Sequence, residues 1–407
     1  MLTTLEEGVK GGKWFRLIDK VYALPNLRKA FARVEANGGA AGVDHVTVEE
    51  FGRHLEANLE ELSQSLHDGS YRPQAIRRAW IPKLGSKEMR PLGIPTVRDR
   101  VVQAALRAVL EPIFEREFAA QSYGFRPKRG CKDALRRVDT LLKQGYHWVV
   151  DADLKSYFDT IPHSALINQV GEKVADGRVL QLLEAFLHAR VMETAKGWTP
   201  EGGTPQGAVI SPLLSNIYLD PLDHHLAGQG MEMVRYADDF VVLCRTEGAA
   251  QEALERVRAW TTRVGLTLHP VKTRIVDATQ VGGFDFLGYH FERGCRWPRP
   301  KSLDKFKATV RTKTRRHNGQ SLQAIVTDLN RTLRGWYEYF KHSHRFTFTA
   351  LDKWVRMRLR SLLRSRQGRK GRGRGADHQR WPNAFFAKQG LFSLTEAHTL
   401  ACQSSRR

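Results

Sequence analysis

Cysteine is scarce in this 407-residue chain. The four present, Cys131, Cys244, Cys295 and Cys402, lie far apart, with no CxxC pair. That spacing argues against a disulfide framework and against a local cysteine-rich zinc site, and it fits a reducing interior. Long apolar runs are missing too: no stretch reaches the ~18–20 residues that a membrane-spanning helix requires. The N-terminal MLTTLEEGVKGGKW has no apolar core of the kind a secretory signal carries. Carboxylates are outnumbered, with 43 Asp and Glu against 65 Lys and Arg, a formal net charge of +22. Such an imbalance says little about fold and much about partners, which should be polyanions, nucleic acid first among them.

What is present supports a folded protein of two or three domains, because 41% of the residues are hydrophobic. The charge is uneven. Residues 301–407 hold 25 Lys and Arg against 6 Asp and Glu, a net of +19, and residues 1–300 hold only +3. Within the basic quarter, RSRQGRKGRGRG (364–375) reads as a flexible basic loop. Before it, Leu322, Ile325, Leu329, Leu333 and Trp336 recur at helical spacing, and after it WPNAFFAKQGLFSL reads as a small hydrophobic cap. No internal repeat is visible. The first 300 residues alternate helical patterns (26–37, 49–67, 99–118, 130–144, 163–188, 211–228, 248–264) with strand patterns (76–82, 146–153, 232–236, 240–244, 274–277, 285–291).

Two groups of carboxylates stand out. In WVVDADLKSYFDTI (148–161) the apolar Trp148, Val149 and Val150 read as a buried strand, with Asp151 and Asp153 on one face of its end. Alone, such aspartates could be caps or turn formers. In MVRYADDFVVLC (233–244), Asp238 and Asp239 sit between two short apolar segments, as at a hairpin tip. Adjacent carboxylates repel, and a divalent cation relieves that. Mg²⁺ is often held by one or two carboxylates plus substrate phosphates. A strand-end Asp facing a hairpin Asp is the arrangement that two-metal phosphoryl transfer requires.

YADD (236–239) resembles the signature of reverse transcriptases. GTPQGAVISPLLSNIYLDPLD (203–223) is similar to the template- and nucleotide-contacting block of the group II intron reverse transcriptases. RPLGIPTVRDRVVQ (90–103), SYGFRPKRG (122–130), LTLHPVKTRI (266–275) and FDFLGYHF (284–291) follow that family's order. RGWYEYFK (334–341) resembles its region X, or maturase, motif. The resemblance covers about residues 20–345, and the C-terminus more weakly.

By resemblance, Asp153 lies five residues before Phe158, the steric gate that would pack under the sugar and exclude a 2′-OH. It becomes the first metal ligand, with Asp151 as its neighbour and the opposite assignment still open. Asp238 becomes the second metal ligand and Asp239 the less direct carboxylate. Gln206 and Gly207 fall where a side chain and a bare backbone approach nucleotide and template. Lys83 and Arg90 resemble finger cations that grip the triphosphate, with Arg126 a weaker candidate and Tyr236 a weaker nucleotide contact. Lys272 resembles the lysine that protonates the leaving pyrophosphate. Arg334, Lys341, Arg369, Lys370, Arg372 and Arg374 are the expected nucleic-acid contacts. Of Trp336, Tyr337, Tyr339 and Phe340, at most one or two should touch nucleic acid and the rest should be core.

The resemblance implies an α+β right-hand polymerase with a helical thumb and a basic tail. The expected division is an N-terminal extension (1–75), fingers and palm (76–300), thumb (301–363) and a basic nucleic-acid-binding segment (364–407). Cys402, His378 and His398 lack the partners of an HNH endonuclease, so none is expected. The implied activity is RNA-directed DNA synthesis with two Mg²⁺ ions, Mn²⁺ being a possible substitute. The implied partners are intron RNA, an RNA template with DNA primer or target DNA, and dNTPs, in a bacterial cytoplasm near the nucleoid, with no membrane. The alternative is a host-adopted relative serving defence, repair or a diversity-generating element. A maturase that only chaperones RNA has no need of the aspartates.

Overall fold

A computed structural model describes residues 12–82, 89–193, 196–373 and 375–404. Lys83 and Arg374 lie outside the described residues. The architecture is α+β, in two compact units that divide between Val276 and Asp277. Among the described residues no helix is long and apolar enough to cross a membrane. No disulfide joins any of the four cysteines.

The strands up to that division are β1 (Ile76–Pro82), β2 (Met89–Ile94), β3 (Trp148–Asp153), β4 (Val191–Glu193), β5 (Lys196–Trp198), β6 (Glu232–Tyr236) and β7 (Asp239–Cys244), with β8 (Arg274–Asp277) at its edge. They form two sheets, ordered β2-β1-β4-β5 and β6-β7-β3-β8. The second carries the aspartates. Along β3, Val150 and Ala152 turn into the core with Phe240 and Val242 of β7, so Asp151 and Asp153 fall on the other face. The helices Ser211–Ala227 and Glu247–Arg263 complete that core with Leu214, Leu222, Ala253 and Val257, all fully buried. Burying a leucine or valine of this kind contributes about 1.5–3 kcal/mol.

Two expected helices are interrupted. The 163–188 pattern breaks into His163–Gly171 and Gly177–Leu187, because Asp176 caps the second helix, accepting from the backbone N–H groups of Arg178 and Val179. The other oxygen of Asp176 accepts from Leu17 and Ile18 N–H, at 2.7 and 2.9 Å. The 49–67 pattern breaks at His54 into Val48–Arg53 and Leu55–Asp68. Thr47 and Glu50 form a capping box at the start of the first piece.

The second unit holds β9 (Phe284–Phe286), β10 (Tyr289–Glu292) and β11 (Cys295–Pro298), ordered β11-β10-β9. The single strand expected over 285–291 is instead a hairpin. The chain turns at Leu287 and Gly288, with φ of 47° and 85°. This sheet belongs with the C-terminal helices: the Tyr289 hydroxyl donates to the Tyr339 carbonyl at 2.6 Å, and its ring lies 5.0 Å from Phe340. The division therefore falls near residue 276 rather than between 300 and 301. The helices Pro300–Lys313, Leu322–Phe340 and Arg345–Arg366 enclose a core of Phe306, Val310, Ile325, Leu329, Leu333, Phe348 and Val355. Trp381, Phe386 and Leu394 of the expected cap complete it. Tyr337 and Phe340 are buried there and Trp336 stacks on Phe306, so these three aromatics are core.

The basic segment 364–375 is not the loose loop that its composition indicates. The last helix runs on to Arg366. Arg364 bridges back to Asp377 at 2.7 Å and to the Lys370 carbonyl at 3.0 Å. Gly373 N–H donates to Ser361 Oγ, and a Cβ on Gly373 would lie 2.7 Å from Cβ of Arg360. Local ion pairs and a close backbone approach thus fold the segment onto its helix.

Candidate active site

The antiparallel register of β3 and β7 sets Asp153 opposite Asp239, and that of β6 and β7 sets Tyr236 opposite Asp239. Ala237 and Asp238 are therefore a two-residue hairpin turn. Ala237 takes φ of 60°, unusual for a residue with a side chain. The turn is pinned from behind. Arg235, fully buried, donates to the Ala237 carbonyl at 3.0 Å, to Asn216 Oδ1 at 2.9 Å and to buried Asp223 at 2.8 Å. Asn216 in turn donates to the Gly124 carbonyl at 2.8 Å. Gly124 has to be glycine, because a Cβ there would overlap the Ala237 backbone nitrogen. Sequence reasoning missed this network. Its one signal was Asn216 and Asp223, two polar residues seven apart on one helix.

The segment 266–273 folds along the end of β3. His269 N–H donates to the Asp153 carbonyl at 2.7 Å, and Lys155 N–H to the Thr267 carbonyl at 2.9 Å. This brings Lys272 Nζ to 2.8 Å from Asp153 Oδ2. Asp151, opposite Val241, pairs instead with Arg274 Nε at 3.5 Å. Burial pushes the Asp238 carboxyl above its ordinary range and the Asp153 charge adds to this; a hydrogen bond from its own backbone N–H, Arg90 and Arg235 oppose it. Arg90, exposed on β2, thus acts electrostatically on Asp238.

A half-buried Asp238 whose ionisation is disfavoured by burial and by the Asp153 charge fits a cation. Among the described residues no group of three or more His, Cys, Asp or Glu side chains is gathered to hold one unaided. A cation there would need substrate oxygens to complete its shell, as Mg²⁺ sites commonly do.

Phe158 and Gln206 line one cleft of about 730 Å³ with Pro91, Gly93 and Asp159. The Phe158 ring is half-buried, and its carbonyl accepts from Thr204 N–H at 2.6 Å. Gly207 packs closely against β2. Its φ is 109°, and a Cβ would lie 2.6 Å from the Gly93 carbonyl oxygen, so its bareness serves packing against β2. Arg126 is not brought to the site. Its side chain is buried, bound to Glu115 at 2.8 Å and to the Ala119 and Ser122 carbonyls, so its donors are spent on the fold. Tyr236 turns its hydroxyl to Cys131, which raises its pKa. In the second unit Arg334 lies 4.6 Å over the Phe392 ring and Lys341 pairs with Glu338 at 3.2 Å. Arg369, Lys370 and Arg372 have exposed side chains.

Residues 81–291 match the family described as "Reverse transcriptase (RNA-dependent DNA polymerase)", and residues 303–381 match "Group II intron, maturase-specific domain". The chain is 42% identical over 196 residues to the group II intron-encoded protein LtrA of Lactococcus lactis subsp. cremoris, covering 48% of this chain and 32% of LtrA. It therefore spans about a third of that relative. It is 35% identical over 291 residues to protein YkfC of Escherichia coli (strain K12), covering 62% of this chain and 76% of YkfC. Among solved structures, telomerase from Candida albicans aligns over 78% of this chain and 64% of its own at 12% identity, with a TM-score of 0.43, too distant to argue from.

Proposed function

Because the chain belongs to the group II intron reverse transcriptases and carries their maturase-specific domain, we propose that Asp153, Asp238 and Asp239 are the catalytic carboxylates of its RNA-directed DNA polymerase. The divalent-metal dependence of the domain follows from the family; two ions, Mg²⁺ by preference, are our reading. The observation that carries it is the register that sets Asp153 opposite Asp239 beside a turn bearing Asp238, whose carboxyl burial pushes above its ordinary range.

Asp153 and Asp238 hold the ions and Asp239 supports them. When bound, the ions supply the charge that activates a primer 3′-hydroxyl and steadies departing pyrophosphate. Phe158 packs under the sugar, Gln206 orients the nucleotide, and Arg90 draws the triphosphate towards the aspartates. Lys272, 2.8 Å from Asp153, stands where it can give a proton to the leaving group. The maturase domain binds intron RNA; splicing assistance and copying of the intron into a DNA target are proposed with it. That domain match favours the intron reading over a host-adopted polymerase.

Primer extension on an RNA template tests the site. Asp238→Asn should abolish Mg²⁺-dependent extension while RNA binding persists, since a metal ligand is lost and the basic unit is untouched. Extension near the wild-type rate would remove Asp238 from the metal site.

A further inference from the structure

The cleft that holds Phe158 and Gln206 has a second lining that the chemistry above does not use. Arg78 and Trp80, two apart on β1, share a face of the sheet, and β5 brings Trp198 to the same cleft. The Arg78 guanidinium carbon lies 5.2 Å from the Trp198 ring centre and 6.0 Å from that of Trp80. Both indoles remain largely in solvent, 41% and 48% exposed. The Trp80 indole N–H donates to Glu193 Oε1 at 2.7 Å, which fixes the plane of that ring. Arg78 Nε is buried in the cleft wall without a hydrogen-bond partner. Two rigid aromatic rings bracketing a guanidinium, left open to a cavity of about 730 Å³, make a surface for a flat π system.

We infer that Trp80, Arg78 and Trp198 form a stacking platform for an unpaired base of the template strand, ahead of the base being copied. The inference rests on the polymerase reading. The charge around the platform selects a base rather than a phosphate. Among the described residues Arg78 is the one cation in the cleft lining, and the carboxylates of Asp159 and Glu201 line it too. A triphosphate or a backbone phosphate would meet both. A nucleobase offers its face to the rings, and the N–H donors that every base carries on its edge find acceptors in the carboxylates. The choice of strand follows from what continues past the nucleotide pocket. The primer ends at the aspartates, and the incoming nucleotide lies against Phe158. Only the template runs on as a single strand, and only there are base faces open to stacking. Because every base has such a face, the platform tolerates any sequence.

The test compares primer–template duplexes with a single unpaired template base and with an overhang of about ten, within the range of single-strand binding sites. Wild-type chain should bind the longer overhang more tightly by about fivefold or more, the low end of base–aromatic stacking. Trp198→Ala and Trp80→Ala should each bring that ratio towards one, and Trp198→Phe should keep most of it. With 2-aminopurine in the overhang, the wild type should quench its emission and Trp198→Ala should not. A ratio left intact in both alanine variants, even with weaker binding overall, overturns the platform. A wild-type chain that extends the primer but shows no preference for the longer overhang overturns the platform alone. One that extends no primer overturns the polymerase reading and the platform with it.

Discussion

One methyl group at residue 124 decides whether the aspartate turn can sit where it does. A Cβ there would overlap the Ala237 backbone, so Gly124→Ala should shift the turn without unfolding the chain. A displacement of about 1 Å typically costs ~10²-fold in rate. Single-turnover extension should show that loss while thermal unfolding changes little; a full rate would mean that the turn tolerates the push. Phe158 belongs to the same scale. Its half-buried ring lines the cleft that it shares with Gln206, so on the proposed reading Phe158→Ala should lower the preference for dNTP over rNTP by on the order of 10–100-fold. Competing dNTP and rNTP in extension reads this, and an unchanged ratio would make the ring a packing residue only. The placement of the aspartates was legible in the sequence: Asp153 stands at a strand end and Asp238 in a hairpin turn. Arg126 was not legible. A cation in a motif reads the same whether its donors face a ligand or, as here, Glu115 and two carbonyls. The packing of Gly207 against the Gly93 oxygen was not legible either, because Gly93 lies far away in sequence.

At the scale of elements, periodicity located the helices and missed their breaks. The break falls between Gly171 and Gly177, in a short polar stretch, and the contacts of Asp176 with its own helix start and with Leu17 and Ile18, some 160 residues distant, fix the turn there. The helix that begins at His163 also steadies the nucleotide cleft. His163 Nε2 donates to the Gly203 carbonyl at 2.6 Å, and Nδ1 faces His188 at 3.3 Å. Gly203 precedes Thr204, whose N–H donates to the Phe158 carbonyl. Burial lowers the His163 pKa; the Gly203 bond opposes this, His188 adds to it and Glu184 opposes it. The sign follows. Below about 6.5 the unfolded chain binds a proton at this residue that the folded chain resists. The contribution is full above that pH and is lost as pH falls through the lower folded value. Urea midpoints should therefore drop between about pH 7 and 5, and less steeply in His163→Asn. Equal slopes for variant and wild type would show that other groups carry the acid sensitivity.

For the whole molecule, charge divides the labour. The 300 N-terminal residues are nearly neutral, and the 107 that follow carry +19. A nearly neutral polymerase unit can hold a primer end and a nucleotide through a few placed groups. It cannot by itself neutralise a long folded RNA, whose binding depends on counterions released from many phosphates. That task falls to the second unit, where the fold shows what composition hid. The Arg/Gly segment is tied back by Arg364 and Gly373, so Arg369, Lys370 and Arg372 project from a fixed surface. Fixed cations lose less freedom on meeting a phosphate than cations on a loose tail. Replacing Arg369, Lys370, Arg372 and Arg374 by serine should therefore weaken intron RNA binding and flatten its salt dependence. Each phosphate contact contributes about −0.7 to −0.9 to the slope of log K against log salt, so the slope should shrink by up to about three. Arg364 is kept, because its bond to Asp377 holds the segment and its loss would confuse folding with binding. Extension of a short annealed primer at saturating enzyme should survive, since the aspartates are untouched. Splicing assistance should fall with the slope, because folding a large RNA needs the broad surface and not the active site. If the slope stays as it was, the phosphates meet other cations, and the long helix Arg345–Arg366 with Lys353 and Arg356 is the next surface to neutralise.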